Sequence, residues 1–203
     1  MTADCKILLI ACSTLLRCFS KPFLITSTSK PKTCEDIMEL LVLTQNPFSL
    51  LLIPHELFNC SKLLDLSLSG NSLNGSLPSE IASYELRLSR NSFSGQTPDE
   101  IGQLQNLQSI LDLSYNNLTG KIPPSIGTLS KLETLDLSHN QLTGELPQVS
   151  EMRSLGRLNF SYNNFQGKLD RLYAHWPADA FAGNMNICGS PHKKCKDLML
   201  ILL

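Results

Sequence analysis

The chain has 203 residues, of which 17% are charged, and a formal net charge of −1. This balance provides neither the basic surface that nucleic-acid binding requires nor an acidic block that would form a solvating tail. The length suits one elongated domain. Seven cysteines are present, but no Cys-x-x-Cys pair and no Cys/His cluster at zinc spacing occurs, so we predict neither a metal site nor a cofactor.

The N-terminal residues 1–20 form a candidate signal peptide. One early lysine, Lys6, precedes an apolar run over residues 7–16, which has the length of a signal-peptide hydrophobic region. Asp4 weakens the positive charge of this start, and no clean small-residue cleavage site follows. The run is too short to span a membrane. Residues 21–38 are rich in Ser, Thr, Lys and Pro and are predicted to be a linker or a degenerate N-terminal cap.

Residues 39–169 repeat one pattern. It reads LDLSYNNLTGKIP from Leu111, LDLSHNQLTGELP from Leu135 and LNFSYNNFQGKL from Leu158. The period of about 24 residues and the Leu-x-Leu, Asn and Gly positions are those of leucine-rich repeats, of which we count a partial first one and about five clear ones. The unit over residues 79–98 is about four residues short of that period, which predicts a weak junction on its outer side.

Elementary geometry determines where each position of the repeat points. Side chains alternate across a strand, so the two leucines of Leu-x-Leu face the core and the residues beside them face water. In one unit the predicted outward residues are Thr134, Asp136 and Ser138. A buried turn asparagine must be hydrogen-bonded, so we predict an asparagine ladder that joins neighbouring turns through Asn71, Asn91, Asn116, Asn140 and Asn163. The recurring Gly and Pro predict an extended or short helical outer path.

These features predict an α/β leucine-rich-repeat solenoid with a parallel sheet on the concave face and short 3-10 or irregular convex segments. The Leu-Thr-Gly-x-Ile-Pro second half of the unit resembles that of plant-type, extracellular leucine-rich repeats. The concave face is the default binding surface of a solenoid, and Tyr and Arg are frequent hot-spot residues. We predict partner binding by outward strand residues and by a column one step beyond them: Arg87, Arg90, Asp112, Tyr115, Asp136, His139, Asn159 and Tyr162. The alternative is a solvated strand face that carries only the repeat consensus.

Four Asn-x-Ser/Thr sequons predict N-glycosylation, at Asn59, Asn74, Asn117 and Asn159. Asn59 is expected on the convex side, and Asn74 and Asn117 come just after a turn, where a glycan reaches solvent. Asn159 lies on the concave strand face, where a glycan would block binding. The alternative is that the repeat consensus generates these sequons by chance.

The C-terminal residues carry a cap pattern. Residues 170–196 contain WPADAFAGNMNICGSP followed by Cys195, and residues 197–203 form an apolar tail that is too short to cross a bilayer. Together with ELFNCSKLL, YELRLSRNSFSG and IGQLQNLQSILDLSYNNLTGKIPPSIGTLSKLETLDLSHNQLTG, this cap resembles plant leucine-rich-repeat receptor kinases of the GASSHO type over residues 55–191. The resemblance implies a cap disulfide between Cys188 and Cys195, and the alternative is two free thiols. The pairing of the other cysteines stays open.

In that family the repeats form the extracellular part of a peptide-hormone receptor. The resemblance therefore implies a peptide ligand along the inner surface, and a co-receptor kinase ectodomain of the somatic-embryogenesis type near the C-terminal repeats and cap. It also implies an extracellular or plasma-membrane location, and the chain is secreted if its leader functions. The Gly-rich loop and the HRD and DFG motifs of the family's Ser/Thr kinase do not occur in this sequence, so no enzyme activity is predicted.

Other interpretations of the chain stay open. Secreted inhibitors of cell-wall polygalacturonases use similar repeats, although they carry a Cys-rich N-terminal cap and a longer array. A truncated receptor gene would give a non-functional product, which the short repeat and the apolar tail would fit. A stacked Asp112–Asp136 pair resembles the carboxylate pairs of glycosidases, but these are ordinary exposed strand positions, so no catalytic residue is predicted.

Overall fold

The computed structural model describes residues 40–42, 65–77, 85–104 and 107–189, with the backbone alone for residues 40–42. The predicted signal peptide, linker and apolar tail lie outside these residues, as do Asn59 and Cys195. Most of the outer segment of the short repeat also lies outside them. What the sequence predicts for these parts therefore stays a prediction.

The Leu-x-Leu segments form the first sheet. Its described strands are β1 (Leu40–Val42), β2 (Asp65–Ser67), β4 (Glu85–Arg87), β6 (Ile110–Asp112), β8 (Thr134–Asp136) and β10 (Arg157–Asn159), which pair in parallel in that order. The register places equivalent residues side by side, as Leu111 beside Leu135. Leu41 pairs with Leu66, 25 residues further along the chain, which is close to the repeat period of about 24 residues that the sequence indicates. The predicted leucine-rich-repeat solenoid with a parallel sheet is confirmed.

The segment after each ladder asparagine forms a second parallel sheet, which sequence reasoning missed. Its described strands are β3 (Asn74–Gly75), β5 (Ser92–Gln96), β7 (Asn117–Lys121), β9 (Gln141–Gly144), β11 (Asn164–Lys168) and β12 (Asn186–Cys188), each paired with its nearest equivalent. Gly is depleted in strands, so the pattern Asn-x-Leu-Thr-Gly suggests irregular structure. These strands pair because equivalent segments stack on each other, not because of local propensity.

Short 3-10 helices, Asp99–Gln103 and Pro124–Thr128, form the outer side of two repeats. They pack backbone against backbone, since a Cβ added at Gly102 would lie 2.2 Å from the carbonyl oxygen of Ser125. The Ser125 hydroxyl also donates to the carbonyl of Asp99 at 2.7 Å. Glycine at this position therefore sets how closely adjacent repeats approach on the outer side.

The inward side chains of all described repeats form one continuous core. A full repeat contributes seven of them, each at most 4% exposed: Leu111, Leu113, Leu118, Ile122, Ile126, Leu129 and Leu132. Burial of each such side chain contributes roughly 1.5–3 kcal/mol before the entropy cost. A single repeat has no second layer to cover these residues, so the stabilisation is realised only when repeats stack.

A buried asparagine side chain joins each turn to the preceding one. The Asn116 Nδ2 donates to the carbonyl of Leu88 in the preceding repeat at 3.0 Å and to that of Leu113 in its own repeat at 3.1 Å. Its Oδ1 accepts from the backbone amide of Phe93 at 3.0 Å. One side chain thus satisfies buried backbone groups in two repeats, which would otherwise be costly.

The same set of bonds recurs at Asn91, Asn140 and Asn163. At the start of the ladder, Asn71 donates to the carbonyl of Leu68 in its own turn at 2.8 Å. Sequence reasoning missed one further rung in the cap. There, Asn184 donates to the carbonyl of Phe160 and accepts from the amide of Phe165, both at 3.0 Å. The Gly-Asn dipeptide before the last cysteines was the available signal, because it occupies the same turn position as Tyr-Asn in the repeats.

The third outward residue of the strand pattern does not face water. Four of the five described serines at this position are at most 8% exposed, namely Ser89, Ser114, Ser138 and Ser161, and the fifth, Ser69, is half-buried. For Ser138, which is 1% exposed, the expectation of an outward side chain is wrong. Strand β8 ends at Asp136, so the alternation of sides no longer applies at Ser138, whose amide donates to Asp136 Oδ1 at 2.9 Å.

The C-terminal cap covers the last repeat with two short 3-10 helices, Arg171–Tyr173 and Ala178–Phe181. The amides of Phe160 and Tyr162 donate to cap carbonyls at 2.7 Å, so the edge of the first sheet beyond β10 is occupied. Cys188 is disulfide-bonded. Its predicted partner lies outside the described residues, so that pairing stays a prediction.

Tyr173 anchors the cap to the last full repeat. It is buried, with its ring edge-on to Phe181, and its hydroxyl donates to the carbonyl of Pro147. Burial, and to a lesser extent the nearby Asp170, raise the pKa of Tyr173. The hydroxyl therefore stays protonated and remains a donor.

We expect Asn116→Ala to lower the free energy of unfolding by about 2–4 kcal/mol. The substitution leaves the Phe93 amide buried without a partner and removes one of the two donors to the Leu88 carbonyl. Urea unfolding of the oxidised protein measures the change. The neighbouring Asn117 is exposed, so the control Asn117→Ala should alter stability by less than about 0.5 kcal/mol. Equal effects of the two substitutions would contradict the ladder's role.

We expect Tyr173→Phe to destabilise the protein by about 1–3 kcal/mol, because the Pro147 carbonyl loses its buried donor. Tyr162→Phe removes a hydroxyl from a side chain that is 54% exposed, and should be nearly neutral in the same urea unfolding experiment. If both substitutions are neutral, the Tyr173 hydroxyl does not hold the cap.

Candidate partner-binding face

The outward side chains of the first sheet form two rows, which we call the floor. The strand register places Asp65, Glu85, Ile110, Thr134 and Arg157 in one row and Ser67, Arg87, Asp112, Asp136 and Asn159 in the other. Neighbouring strands lie about 4.8 Å apart, so side chains within a row are close neighbours. Four predicted partner-binding residues therefore share the second row: Arg87, Asp112, Asp136 and Asn159.

The floor carries more carboxylates than guanidinium groups. Its acidic members are Asp65, Glu85, Asp112 and Asp136, and its basic members are Arg87 and Arg157. Arg87 forms an ion pair with Glu85. The remaining carboxylates have no ion pair within the described residues, so the floor is acidic along most of its length.

Asp112 and Asp136 are held by neutral donors. The Oδ1 of Asp112 accepts from the backbone amide of Ser114 at 3.0 Å and from its hydroxyl at 2.7 Å. Asp136 accepts from the Ser138 amide at 2.9 Å through Oδ1 and from the Asn159 amide group at 3.2 Å through Oδ2. These bonds fix the orientation of the two carboxylates without neutralising them.

A column of four side chains, which we call the ledge, stands beside the floor: Arg90, Tyr115, His139 and Tyr162. The Arg90 Cζ lies 4.5 Å from the centroid of the Tyr115 ring. The Tyr115 and His139 rings stack with centroids 4.0 Å apart and planes 12° apart, and the His139 and Tyr162 rings stack at 4.4 Å and 15°. Tyr115 is 42% and Tyr162 is 54% exposed. The structure thus brings the predicted column together across four repeats, with Arg90, Tyr115 and Tyr162 exposed and His139 half-buried.

The backbone explains why these side chains stack. All four ledge residues have φ between 53° and 55°, in the left-handed region that residues other than glycine rarely adopt. The equivalent positions at the two ends are Gly70 and Gly183, with φ of 71° and 74°. Adjacent turns are joined by backbone hydrogen bonds, such as that from the Tyr115 amide to the Ser138 carbonyl at 2.9 Å. Equal turns joined at this spacing point their side chains in the same direction.

The described sequons lie in different surroundings. Asn117 is exposed on the second sheet, and Asn74 is half-buried at the start of β3. Asn159 is half-buried in the floor, where its side chain donates to Asp136 and accepts from the Ser161 amide. Glycosylation at these positions stays a prediction.

The described part of the chain contains no group of three or more His, Cys, Asp or Glu that could hold a metal ion. None of its helices is long and apolar enough to cross a membrane. A polar cleft between the second sheet and the cap is lined by Glu145, Lys168, Asp170 and Tyr173, among others, but by none of the predicted partner-binding residues.

The repeats match known families. Residues 84–142 match the family described as leucine rich repeat, and residues 62–84 match a second leucine-rich-repeat family. The crystal structure of a pollen receptor kinase 3 is 33% identical, with a TM-score of 0.61, over 70% of this chain and 71% of that one. The chain belongs to the leucine-rich-repeat proteins.

Within this class, the chain is similar to plant receptor kinases of the GASSHO type, as its sequence predicts. It is 60% identical over 94 residues to the LRR receptor-like serine/threonine-protein kinase GSO1 of Arabidopsis thaliana, which is 46% of this chain and 8% of the kinase. The LRR ectodomain of GASSHO1/SCHENGEN3 from the same plant, in complex with CASPARIAN STRIP INTEGRITY FACTOR 2, is 54% identical over 77% of this chain and 22% of that one, with a TM-score of 0.63.

A second solved structure, the plant peptide hormone receptor RGFR1 in complex with RGF2, is 37% identical, with a TM-score of 0.64. The match covers 68% of this chain and 23% of the RGFR1 chain. The chain therefore spans less than a quarter of these two receptor ectodomains and less than a tenth of the curated kinase. No kinase domain is matched in this chain.

We expect Asp65→Asn to stabilise the protein at neutral pH and to lose this advantage as the pH falls. Partial burial is the main cause that raises the pKa of Asp65. The negative charge of the neighbouring Glu85 adds to this rise, and the positive charge of Arg87 partly opposes it. The folded state therefore binds this proton more tightly than the unfolded state, so ionised Asp65 costs stability at pH values above its raised pKa. The cost disappears once the pH falls below the ordinary value of 3.8.

Urea unfolding of the wild type and the variant across this pH range measures the difference. Asp99→Asn is the control, because it removes the same charge from an exposed position on the outer side. The explanation is wrong if Asp65→Asn and Asp99→Asn change stability alike at every pH.

Proposed function

We propose that this chain is a non-catalytic, protein-binding leucine-rich-repeat segment that recognises a peptide through the floor and the ledge. One observation carries the proposal: consecutive repeats place three exposed side chains and the half-buried His139 in a stacked column beside an acidic floor. Tyr and Arg are enriched among residues that dominate binding energy. A solvated consensus face would not require four bulky side chains in a backbone conformation that favours glycine.

The ledge is ordered before a partner arrives. Each ring is held between its neighbours, and the turn behind it is fixed by the asparagine ladder. Ordering a flexible side chain on binding costs about 0.5–1.5 kcal/mol, and this cost is largely avoided here. The contacts that a partner makes with the ledge therefore contribute almost fully to affinity.

The similar receptors support a peptide as the partner. RGFR1 is a plant peptide hormone receptor and was solved with RGF2 bound. By analogy, we propose an extracellular location for this chain, which the disulfide bond of Cys188 supports because disulfides persist in oxidising compartments. The chain spans a small part of these receptors, so their ligands and activities are not carried over as a whole.

A co-receptor kinase ectodomain of the somatic-embryogenesis type is the second partner that we propose. One observation favours it: the last ledge ring, Tyr162, lies against Gly183, so the ledge continues onto the cap. A protein docked there would contact the last repeat and the cap together. A pull-down with such an ectodomain tests this, with an intact receptor ectodomain as positive control, and absence of association at any pH would contradict it.

Selection from a phage-displayed peptide library tests peptide recognition. We expect the immobilised chain to enrich peptides whose binding weakens at least about tenfold in the double variant His139→Ala/Tyr162→Ala, because loss of two side chains that dominate the contact costs more than 1 kcal/mol each. The matched control, Asn117→Ala on the second sheet, should bind as the wild type does.

The two variants must first be shown to unfold like the wild type. If no peptide is enriched, or if the enriched peptides bind the ledge variant with full affinity, the proposed function is wrong.

A further inference from the structure

The asparagine side chains of the three described sequons are engaged differently in the fold. Asn117 is exposed at the start of β7, and its amide group makes no hydrogen bond within the described residues. Asn74 is half-buried at the start of the two-residue strand β3. Asn159 is half-buried, and both ends of its amide are bonded: Nδ2 donates to Asp136 Oδ2 at 3.2 Å, and Oδ1 accepts from the Ser161 amide at 3.1 Å. Of the three, only Asn117 therefore presents an amide nitrogen that is both exposed and unbonded.

The turn places Asn117 on a different face from the ledge. Tyr115 belongs to the ledge, Asn116 is buried in the ladder, and Asn117 begins a strand of the second sheet. The equivalent positions of neighbouring repeats are also exposed and carry polar side chains: Ser92, Gln141 and Asn164. A bulky group on Asn117 therefore has open space over the second sheet, and it is attached to a different sheet from the floor.

We propose that Asn117 carries an N-linked glycan in the folded, secreted protein and that Asn159 carries none. Transfer joins Nδ2 of the asparagine to the anomeric carbon of an oligosaccharide carried on a lipid pyrophosphate. The bond from that carbon to the pyrophosphate oxygen breaks, the lipid pyrophosphate leaves with the electron pair, and Nδ2 loses one proton. The glycan then covers part of the second sheet, and the floor and the ledge stay free for a partner. This assignment rests on the extracellular location proposed above, because only an exported chain meets the oligosaccharide donor.

The fold explains why Asn159 stays unmodified although it lies in a sequon. A repeat is stabilised only when its neighbours stack on it, so both asparagines are accessible in the nascent chain and folding selects between the products. A sugar on Asn159 Nδ2 would have to fit beside the Asp136 carboxylate, which lies 3.2 Å from that nitrogen. The next residue, Phe160, is completely buried and its amide donates to the cap carbonyl of Ala180 at 2.7 Å, so the strand is held in place. Chains modified at Asn159 therefore fold less stably and are depleted from the secreted product.

Glycopeptide mass spectrometry tests the assignment on the full chain, secreted from insect cells behind an added, cleavable signal peptide. We expect the occupancy at Asn117 to exceed that at Asn159 by about fivefold or more, because even a modest loss of stability changes the abundance of a chain several-fold. Thr119→Val removes the first sequon but keeps Asn117, and should abolish the Asn117 glycopeptide.

Two further variants separate the causes. Gln141→Asn creates a sequon with Thr143 at the equivalent exposed position of the next repeat, and this position should be occupied as fully as Asn117. Asp136→Ser shortens the side chain beside Asn159 and should raise the occupancy at Asn159. The comparison of Asn117 with Asn159 is made within the wild-type chain, so it holds even where a variant fails to fold.

Equal occupancy at Asn117 and Asn159, or an unmodified Asn117 in the secreted protein, would overturn the inference. Unchanged occupancy at Asn159 in the Asp136→Ser variant would contradict the structural reason given for that site. The proposed function fails separately, when the phage library yields no ledge-dependent peptide. If the chain is glycosylated as expected behind the added signal peptide but is not exported with its own N-terminal residues, the glycan assignment stands and the proposed extracellular location is wrong.

Discussion

From Asn91 onward, each repeat is joined to the preceding one by one buried or half-buried asparagine side chain that completes the hydrogen bonding of both turns. At Asn116, the amide nitrogen donates to carbonyls in two successive repeats and the amide oxygen accepts from the preceding repeat. No apolar side chain could replace it without leaving buried backbone groups unpaired. Because the same bonds recur from Asn91 to Asn184, every turn along this stretch copies the conformation of the one before.

The ledge is a consequence of that constraint. The residue before each ladder asparagine takes a left-handed backbone conformation, as at His139 with φ of 55°. Since the turns are copied along the solenoid, the side chains at this position are displaced from one another by one strand spacing and nothing else. Tyrosine and histidine rings at this position therefore stack. The same turn thus carries the asparagine ladder on its inner side and the proposed binding surface on its outer side.

The floor and the ledge are suited to different chemistry. The floor consists of short side chains on strands, and its carboxylates are oriented by backbone amides, such as that of Ser138 on Asp136. The ledge consists of larger side chains, of which all but the half-buried His139 are exposed, and they support one another. A partner that spans both meets fixed negative charge on one side and hydroxyl donors on the other. This polarity limits the orientations in which a chain can bind.

The sequence by itself determined the repeat, its period, the inward leucines, the asparagine positions and the membership of the ledge column. Each of these is a periodic pattern, and its structural meaning follows from strand geometry and from the cost of burying an unpaired amide. Only the tertiary structure decided what stacking creates: the second sheet, the sixth rung at Asn184, the burial of Ser138 and the ring contacts of His139. These depend on contacts between residues about a repeat apart. A local pattern specifies which residues are equivalent, but the distance and angle between equivalents arise only when repeats pack.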